Sequence, residues 1–270
     1  MSNYVNNNSL LFKYIDTISV KLVEIWDKID PKSLHISLKG SHRDIVTEYD
    51  LLIENKLKKI LKGLIRSADF MGEETSNDFK DNIFWVVDPI DGTTNFSKGN
   101  KHFSTQVSLM KKDEVLFGIV YDPVRKELFR AVKGNGTYLN GKRIHVSKTS
   151  KLENASIHTG LQYMDQYGFN SLKNRIANSI LNGRALRITG SACLDLAYIA
   201  CGRTDIFFEQ CLKTWDVSAG TLLIEEAGGK ISTCNPVEEK EFNIRKPNIL
   251  AYNGNENLVD EFRRKVMESD

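Results

Sequence analysis

The chain has 270 residues, of which 41% are hydrophobic and 27% charged, and this balance excludes disordered, collagen-like and membrane-embedded classes. A formal charge of +2 with scattered basic residues predicts no surface that binds nucleic acid directly. The polar segment 1–9 lacks the layout of a signal peptide, and no apolar run reaches membrane-spanning length. We therefore expect a cytoplasmic protein that has no membrane contact.

Two amphipathic helices are predicted first. Apolar residues recur at intervals of three and four over 10–26 and again over 49–64, which is the period of a helix with one buried face. The pattern then changes to short runs that are rich in β-branched and aromatic residues and separated by turn formers, and such runs predict strands. They cover residues 83–87, 103–110, 115–121 and 127–132.

The second half of the chain alternates between helical and strand patterns. The predicted helices are 170–181, 192–201, 217–227 and 255–267, and the predicted strands are 185–189, 205–209 and 248–252. Helices, then a strand meander, then an alternating half indicate a layered α+β fold. We place the boundary between an N-terminal part, 1–145, and a C-terminal part, 146–270. Since no long linker separates these parts, we expect a site between them.

The segment 85–95 holds the densest group of chemically useful side chains. An apolar strand ends at Asp88, and Asp91-Gly92-Thr93-Thr94 begins a turn or a short helix. Carboxylates at such a strand end can converge on one point, and hard oxygen ligands suit Mg²⁺. The last three N–H groups of this tetrapeptide would form a cradle for phosphate oxygens. The same pattern is also typical of a turn whose aspartates only cap a helix.

Two further acidic positions accompany this segment. Glu73-Glu74 follows a short apolar stretch, and a strand-to-strand connection can return Glu73 to the neighbourhood of Asp88. Asp216 lies at the start of a helical stretch late in the chain. Taken singly, Glu73-Glu74 is typical of solvated surface charge and Asp216 of a helix cap. The presence of all of them in one chain favours a shared metal centre.

These segments resemble the inositol monophosphatase family of lithium-sensitive, Mg²⁺-dependent phosphatases. The resemblance extends from about residue 10 to 261 in the same order and spacing. It implies a layered α-β-α-β-α sandwich of the inositol monophosphatase or sugar phosphatase type, a homodimer and inhibition by lithium. It rests on Gly72-Glu73-Glu74, on 88–96, on 215–220 with 226–229, and on 134–141 with 144–147.

Carried over position by position, the resemblance implies a pair of Mg²⁺ ions. Glu73, Asp88 and the backbone carbonyl of Ile90 would hold the first ion, and Asp88, Asp91 and Asp216 the second. Asp88 would then bridge both. Two such cations can clamp the attacking and leaving oxygens of an in-line displacement. A third, weaker Mg²⁺ near Glu73 is described for the family.

An upstream segment also matches the family. Asp44, Thr47 and Asp50 fit its Asp-x-x-Thr-x-x-Asp pattern, and Lys39 corresponds to a lysine in a mobile loop. The resemblance implies that Thr47 and Asp50 help Thr93 to activate the attacking water. Thr47 and Asp50 also fit a plainer reading, a capped entry to the second helix.

The implied reaction is hydrolysis of a phosphate monoester without a covalent intermediate. Thr93 and Glu73 would help to deprotonate the water, while the N–H groups of Gly92 and Thr93 neutralise the phosphoryl oxygens. The leaving alkoxide would lie near Asp91 and Asp216 and take its proton from a water molecule.

The expected substrate contacts are Asp91, Gly92, Thr93, Gly190, Ser191, Ala192, Glu209 and Asp216, and the resemblance makes myo-inositol 1-phosphate the leading substrate. Arg184 and Arg187 leave open a second phosphate, as in fructose 1,6-bisphosphate or adenosine 3′,5′-bisphosphate, although arginines that flank a strand more often form surface ion pairs. Some bacterial family members associate with transcription complexes, so a role as a binding factor also stays open.

The remaining cysteines and histidines receive no chemical role. Cys193, Cys201, Cys211 and Cys234 form no Cys-x-x-Cys pair, and their surroundings favour buried thiols over a zinc site or disulfides. The five histidines are dispersed along the chain, so we assign none of them as a ligand.

Overall fold

The computed structural model describes residues 8–30, 36–38, 45–75, 83–161, 166–235 and 240–268. Lys39 and Asp44, both matched to the family above, lie outside these residues. The helices are α1 (Asn8–Trp26), α2 (Glu48–Leu64), α3 (Thr93–Ser97), α4 (Gln166–Asn182), α5 (Ala192–Ala200), α6 (Thr214–Glu226) and α7 (Glu256–Phe262). Beyond α7, Arg263–Met267 continues as a π-helical turn.

The strands are numbered in chain order. They are β1 (Ile36–Leu38), β2 (Ile45–Thr47), β3 (Asp69–Gly72), β4 (Ile83–Asp91), β5 (Ser104–Lys111), β6 (Glu114–Asp122), β7 (Glu127–Val132), β8 (Thr137–Leu139), β9 (Lys142–Ile144), β10 (Ser156–Thr159), β11 (Ala185–Ile188), β12 (Ile206–Glu209), β13 (Lys230–Thr233) and β14 (Ile249–Tyr252). The short strands β1 and β2 pair with each other.

The larger sheet has the strand order β3-β4-β5-β6-β7-β8-β9. β3 runs parallel to β4, and each later pair is antiparallel. Its central strands are buried on both faces, β4 from Phe84 to Asp91. Helices therefore cover both sides of this sheet.

The second sheet has the order β11-β10-β12-β14-β13. β10 is parallel to both β11 and β12, and parallel neighbours need crossover connections, here α4 and α5. β14 and β13 complete the sheet in antiparallel pairing. The second half of the chain therefore has the α/β character that its alternating pattern predicts.

The described elements stack in five layers. Alternate residues of β4 point to opposite faces, so Trp85 and Val87 pack with α1 and α2, while Phe84 and Val86 pack with α5 and α6. The far side of α5 and α6 contacts the second sheet, whose outer face packs against α4 and α7. The predicted α-β-α-β-α order is confirmed.

Most of the predicted long elements agree with the structure, and the differences lie at their ends. β4 continues to Asp91 rather than ending at residue 87, and α6 begins at Thr214 rather than 217. The sequence pattern did not predict the short strands β1, β2, β3, β8, β9, β10 and β13, because runs of three or four residues are too short to show a period. The boundary at residue 145 falls between the strands of the two sheets, and the division of the chain there stays a prediction.

The cysteines are all free, but the prediction that they are buried was wrong for two of them. Cys193 and Cys234 are buried, Cys201 is half-buried and Cys211 is exposed. Cys211 lies in a connection with a positive φ of 60°, and such turns lie at the surface. Within the described residues, no helix combines the length and the apolar composition that a membrane crossing requires. Cytoplasmic location stays a prediction.

Candidate active site

A bulge in β4 brings the two aspartates of the densest motif together. Asp88 pairs with Gln106 of β5 and Asp91 with Ser104. An advance of three residues along β4 therefore matches an advance of only two residues along β5. In a regular strand, residues three apart point to opposite faces. The extra residue reverses this alternation, as bulges near active sites commonly do. A carboxylate oxygen of Asp88, one of Asp91 and the sulfur of Cys193 all lie within 4.8 Å of one another.

Asp88 is a buried carboxyl group with acidic neighbours. Only 2% of Asp88 is exposed, and its Oδ1 atom has no hydrogen-bond partner among the described residues. Burial raises the pKa of Asp88 well above its usual range, and the negative charges of Glu73, Asp91 and Asp216 raise it further. A buried acid with three acidic neighbours is stable as an anion only beside a positive charge.

Asp91 is held by a hydrogen-bond network from the start of α5. The hydroxyl groups of Ser191 and, at 3.2 Å, Ser104 donate to its Oδ2 atom. The backbone N–H groups of Ala192 and Cys193 donate to its carboxylate at 3.2 and 3.0 Å. Burial raises the pKa of Asp91 to about 6, although the bonds from Ser191 and Cys193 favour the charged form. The network fixes the orientation of this carboxylate.

Glu73 reaches the cluster from the end of β3. β3 lies parallel to β4, so the residues that follow Gly72 emerge beside the carboxyl end of β4. The N–H group of Glu73 donates to the carbonyl oxygen of Val87 at 3.1 Å. Its side chain is near enough to Asp88 to raise the pKa of that carboxyl group. The parallel pairing of Gly72 with Val87 thus places Glu73 beside Asp88.

Asp216 is a helix cap that also lies near the acidic cluster, and its role as a metal ligand stays a prediction. Its Oδ2 atom accepts a hydrogen bond of 2.6 Å from the N–H group of Lys213, which caps α6. Burial raises the pKa of Asp216, this bond opposes the rise, and the charges of Glu73 and Asp91 add to it. The same carboxylate therefore caps a helix and faces the acidic cluster.

Buried polar contacts hold the start of α6 against β5. The side chain of Gln106, the pairing partner of Asp88, accepts the N–H group of Ala219 at 3.2 Å and donates to Ser218 at 3.1 Å. Ser108 of β5 also contacts the Ser218 hydroxyl at 2.8 Å. The distance between Asp216 and Asp88 is thereby fixed by the core. Gln106 was not singled out from the sequence, where nothing distinguishes it.

Thr93, Asp50 and Thr47 form one connected group. Asp50 is fully buried and completes a capping box with Thr47 at the start of α2. Its other oxygen, Oδ1, lies 3.2 Å from the Thr93 hydroxyl, which is also 3.0 Å from the carbonyl oxygen of Ile90. The capping role and the contact with Thr93 therefore coexist. The part that these residues play in catalysis stays a prediction.

A small cavity adjoins Asp91 and Asp216, and six of the eight expected substrate contacts line it, whereas Gly92 and Thr93 do not. Its volume is about 280 Å³, and it is lined by Asp91, Thr94, Gly160, Leu161, Gly190, Ser191, Ala192, Asp195, Glu209, Leu212 and Asp216. Ser191 and the N–H group of Ala192 form hydrogen bonds with Asp91, while the Glu209 carboxyl group lies against Gly160. A larger cavity of about 990 Å³ near the β5–β6 turn contains none of the predicted site residues.

Asn95 connects the motif of β4 with the segment before α5. Its amide nitrogen donates to the carbonyl oxygens of His102 and Thr189, each at 2.8 Å. Thr189 in turn donates to Asp195 at 2.8 Å, which is paired with the buried His158. This chain of contacts positions Gly190 next to the start of α3. Asn95 belongs to the recognised motif, whereas Asp195 and His158 were missed.

Cys193 is the member of the cluster that the sequence did not suggest. Its thiol donates to the carbonyl oxygen of Asp216 at 3.3 Å. Burial raises the pKa of this thiol well above its usual range, and the charges of Asp91, Asp88 and Asp216 raise it further. A thiol in such surroundings stays protonated and packs as a small apolar group.

The donor set fits a hard divalent cation. Among the described residues, Asp88, Asp91 and Cys193 form the group whose ligand atoms lie within 4.8 Å of one another. The charges of Glu73 and Asp216 also act on Asp88, and the buried Oδ1 atom of Asp88 has no hydrogen-bond partner among the described residues. Oxygen-rich clusters of this kind suit Mg²⁺ rather than softer metals. A cation bound there would supply the opposite charge that these groups need.

Together, the fold and the site define a class: layered α+β proteins with an acidic cation centre next to a helix-start turn. The family model of the inositol monophosphatase family matches residues 11–268. The chain therefore belongs to the inositol monophosphatase family, and this membership supports the activity of a phosphatase.

Individual relatives agree with this assignment. Inositol monophosphatase 2 of Solanum lycopersicum is 38% identical over 247 residues, which cover 88% of this chain and 91% of that protein. Nus factor SuhB of Pseudomonas aeruginosa is 39% identical over 197 residues, which cover 70% of this chain and 72% of that protein. The solved structure of a Thermotoga maritima IMPase has a TM-score of 0.79 and 31% identity, covering 97% of this chain and 98% of that one.

Proposed function

We propose that the protein hydrolyses the phosphate monoester of a small uncharged polyol, with myo-inositol 1-phosphate as the leading substrate. The observation that carries the proposal is the charge of the cavity beside the acidic cluster. Asp91, Asp195, Glu209 and Asp216 line it, and among the residues that the structure describes no lysine or arginine does so. Carboxylates there can accept hydrogen bonds from the hydroxyl groups of a polyol.

The same charge argues against a substrate with a second phosphate. Asp91 and Asp216 would be neutralised by bound cations, but a second phosphate, with about two negative charges, would be repelled by Glu209, to which the proposal assigns no cation. Arg184 and Arg187 line a different cavity, together with His102, His158 and Arg203. Fructose 1,6-bisphosphate and adenosine 3′,5′-bisphosphate are therefore the less favoured alternatives.

Mg²⁺ is the cofactor in this proposal. Glu73, Asp88 and the carbonyl oxygen of Ile90 would hold one ion, and Asp88, Asp91 and Asp216 a second. A third, weaker site near Glu73 belongs to the same hypothesis. When bound, the ions neutralise the phosphate and lower the pKa of a water molecule.

The side chains of this protein supply the proton path. The Thr93 hydroxyl lies 3.2 Å from the buried Asp50 carboxylate. It can therefore pass its own proton to Asp50 while its oxygen accepts a proton from the attacking water molecule. Glu73, which lies beside Asp88, is the alternative acceptor for the proton of that water molecule. The N–H groups at the start of α3 neutralise the phosphoryl oxygens.

A panel of substrates tests the proposal. Phosphate release from myo-inositol 1-phosphate, fructose 1,6-bisphosphate and adenosine 3′,5′-bisphosphate is measured with Mg²⁺ and again with a chelator. We expect the inositol ester to be the fastest and the chelator to abolish turnover. If the inositol ester is slower than either bisphosphate by orders of magnitude, the proposed substrate class is wrong. Lithium inhibition and a homodimer, tested by adding LiCl and by light scattering, are further expectations.

Similarity to a Nus factor supports a second candidate function, a binding role in transcription complexes. The supporting observation is 39% identity to Nus factor SuhB of Pseudomonas aeruginosa over 70% of this chain. The variant Asp91→Asn separates the two functions, since it removes an acidic ligand while the outer surface is unchanged. If pull-down of RNA polymerase by immobilised protein survives this change, the binding role is independent of hydrolysis.

A further inference from the structure

Glu54 is a buried acid that the proposed reaction does not use. It lies on α2, only 1% of it is exposed, and it follows Asp50 by one helical turn. Both of its carboxylate oxygens are occupied. Oε2 accepts the N–H group of Glu74 at 2.9 Å, and Oε1 accepts the Thr75 hydroxyl at 2.6 Å. Glu54 therefore binds the turn that follows β3.

This turn carries Glu73 and is fixed from two sides. On one side, the N–H group of Glu73 donates to Val87 of β4 at 3.1 Å. On the other side, Glu54 binds the next two residues. The backbone on both sides of the Glu73 Cα atom is thereby attached to rigid elements, β4 and α2. The direction in which the Glu73 side chain leaves the backbone is set by these contacts.

The close approach of Glu54 explains why a glycine precedes Glu73. A Cβ atom built on Gly72 would overlap the carboxyl group of Glu54. A larger residue there would push the Glu54 carboxyl group away from Glu74 and Thr75. The Gly72-Glu73-Glu74 segment and Glu54 thus form one packed unit.

We propose that Glu54 is a positioning residue for Glu73: by binding the Glu74 N–H group and the Thr75 hydroxyl, it sets the affinity of the cation site to which Glu73 belongs. The inference rests on the proposed metal role of Glu73. Supporting contacts around metal ligands commonly change metal affinity by about 10-fold to 100-fold when they are removed. Glu54 touches neither the acidic cluster nor the substrate cavity, so its effect acts through the turn.

The chain offers a matched control for the loss of such a carboxylate. Glu226, at the end of α6, accepts the N–H groups of Gly134 and Gly136 at 2.6 and 2.7 Å. It fixes a turn in the same way as Glu54, but this turn carries no predicted ligand. Comparison of Glu54→Gln with Glu226→Gln therefore separates positioning of a ligand from general stabilisation.

The test is Mn²⁺ binding to the full chain, followed by the electron paramagnetic resonance signal of free Mn²⁺, without substrate. Glutamine keeps the shape of Glu54 but has one acceptor oxygen in place of two. We expect Glu54→Gln to weaken one Mn²⁺ site by at least about 10-fold, and Glu226→Gln to leave binding unchanged. In a Glu73→Gln background, Glu54→Gln should have no further effect on Mn²⁺ affinity. Thr75→Val, which lacks the hydroxyl group, should weaken the same site. Thr75→Ser, which keeps it, should bind Mn²⁺ as the wild type does.

The outcomes distinguish this inference from the proposed function. If Glu54→Gln and Thr75→Val both bind Mn²⁺ as the wild type does, the positioning role is overturned while the metal centre stands. An equal loss in the Glu73→Gln background also overturns it, because the effect would then be general. If Glu54→Gln does not fold, the two Thr75 variants decide the question alone. Binding that is insensitive to Glu73→Gln overturns both proposals.

Discussion

Asp50 and Glu54 lie one turn apart on the buried face of α2, and their carboxylates hold two different segments of the site. Asp50 contacts Thr93 at the start of α3, and Glu54 binds the turn that carries Glu73. Residues four apart face the same side of a helix. Both segments therefore depend on the placement of one helix. Any change that shifts α2 would move Thr93 and Glu73 together.

The Thr93 hydroxyl is the first target for mutation. Thr93→Val keeps the shape of the side chain but removes the group that contacts Asp50 and Ile90. We expect kcat to fall by about 10²-fold to 10⁴-fold, the usual contribution of a positioned proton-transfer group. Thr93→Ser should retain most of the activity. Phosphate release by the two variants measures the difference.

Thr47→Ala separates the two interpretations of Thr47, a helix cap alone or a residue that also helps Thr93 in catalysis, and our prediction follows the first. It removes the capping hydroxyl of α2 and should cost about 1 kcal/mol of stability, which thermal denaturation measures. Its effect on kcat should be much smaller than that of Thr93→Val. A loss of activity in Thr47→Ala as large as in Thr93→Val would mean that the integrity of α2, rather than the Thr93 hydroxyl, limits the reaction.

The raised pKa of Asp91 predicts how the stability of the metal-free protein depends on pH. Between the ordinary value of 3.8 and the raised value of about 6, the folded protein holds a proton that the unfolded chain has lost. The free energy of unfolding therefore falls as pH rises through this window, by on the order of 3 kcal/mol. Asp88 and Asp216, whose pKa values burial also raises, extend the fall to higher pH.

Thermal denaturation in a chelator at pH 5 and pH 7.5 measures the part of this fall that lies above pH 5. In Asp91→Asn the fall should be smaller, because the residue no longer titrates. Added Mg²⁺ should raise the Tm of the wild type more at pH 7.5 than at pH 5, since carboxylates must lose their protons to bind a cation. Equal stabilisation by Mg²⁺ at the two pH values would contradict a carboxylate centre.

The layers of the fold could be predicted from the sequence because they follow from long periodic segments. In α1 and α2, apolar residues recur three and four positions apart. In the central strands they recur two positions apart. The convergence of Asp88 and Asp91 was expected for a different reason from the one observed. It depends on a β-bulge, and the pairing register of two strands cannot be deduced from one of them.

The importance of Glu54 could have been predicted from the sequence, because it lies on the apolar face of a predicted helix. The buried residues of α2 are Asp50, Ile53, Glu54, Leu57 and Leu61, which follow the helical period. Two of the five are acids, and an acid on the core side of a helix needs a partner. Cys193 and Gln106 gave no such signal, because their roles arise from contacts between elements far apart in the chain. Those contacts exist only once α5 and α6 pack against β4 and β5.

Cys193 allows a test of whether the cluster uses only oxygen ligands. Its sulfur lies within 4.8 Å of the Asp88 and Asp91 oxygens, but Mg²⁺ is bound by oxygen in preference to sulfur. We expect Cys193→Ser to keep Mg²⁺-dependent kcat and the Mg²⁺ concentration for half-maximal rate within about threefold of the wild type. A larger fall in kcat, or a larger rise in the Mg²⁺ concentration for half-maximal rate, would show that the thiol belongs to the metal centre.

Gly160 offers a test of substrate recognition that leaves the acidic cluster intact. Gly160 and Glu209 both line the substrate cavity, and a Cβ atom built on Gly160 would overlap the carboxyl group of Glu209. In Gly160→Ala the Glu209 side chain must therefore move away from its place in the wall. If Glu209 accepts hydrogen bonds from polyol hydroxyls, KM for myo-inositol 1-phosphate should rise by about 10-fold or more, as expected when a buried hydrogen bond to a substrate is lost.

A simple aryl phosphate separates this effect from damage to the catalytic centre. Such a substrate has no hydroxyl groups for Glu209, so Gly160→Ala should change its kcat and KM little. Glu209→Gln, which keeps the size of the side chain but not its charge, should also raise KM for the polyol ester alone. Parallel losses for both substrates would place the effect at Asp91 and Asp216 instead. Glu209 would then have no part in choosing the substrate.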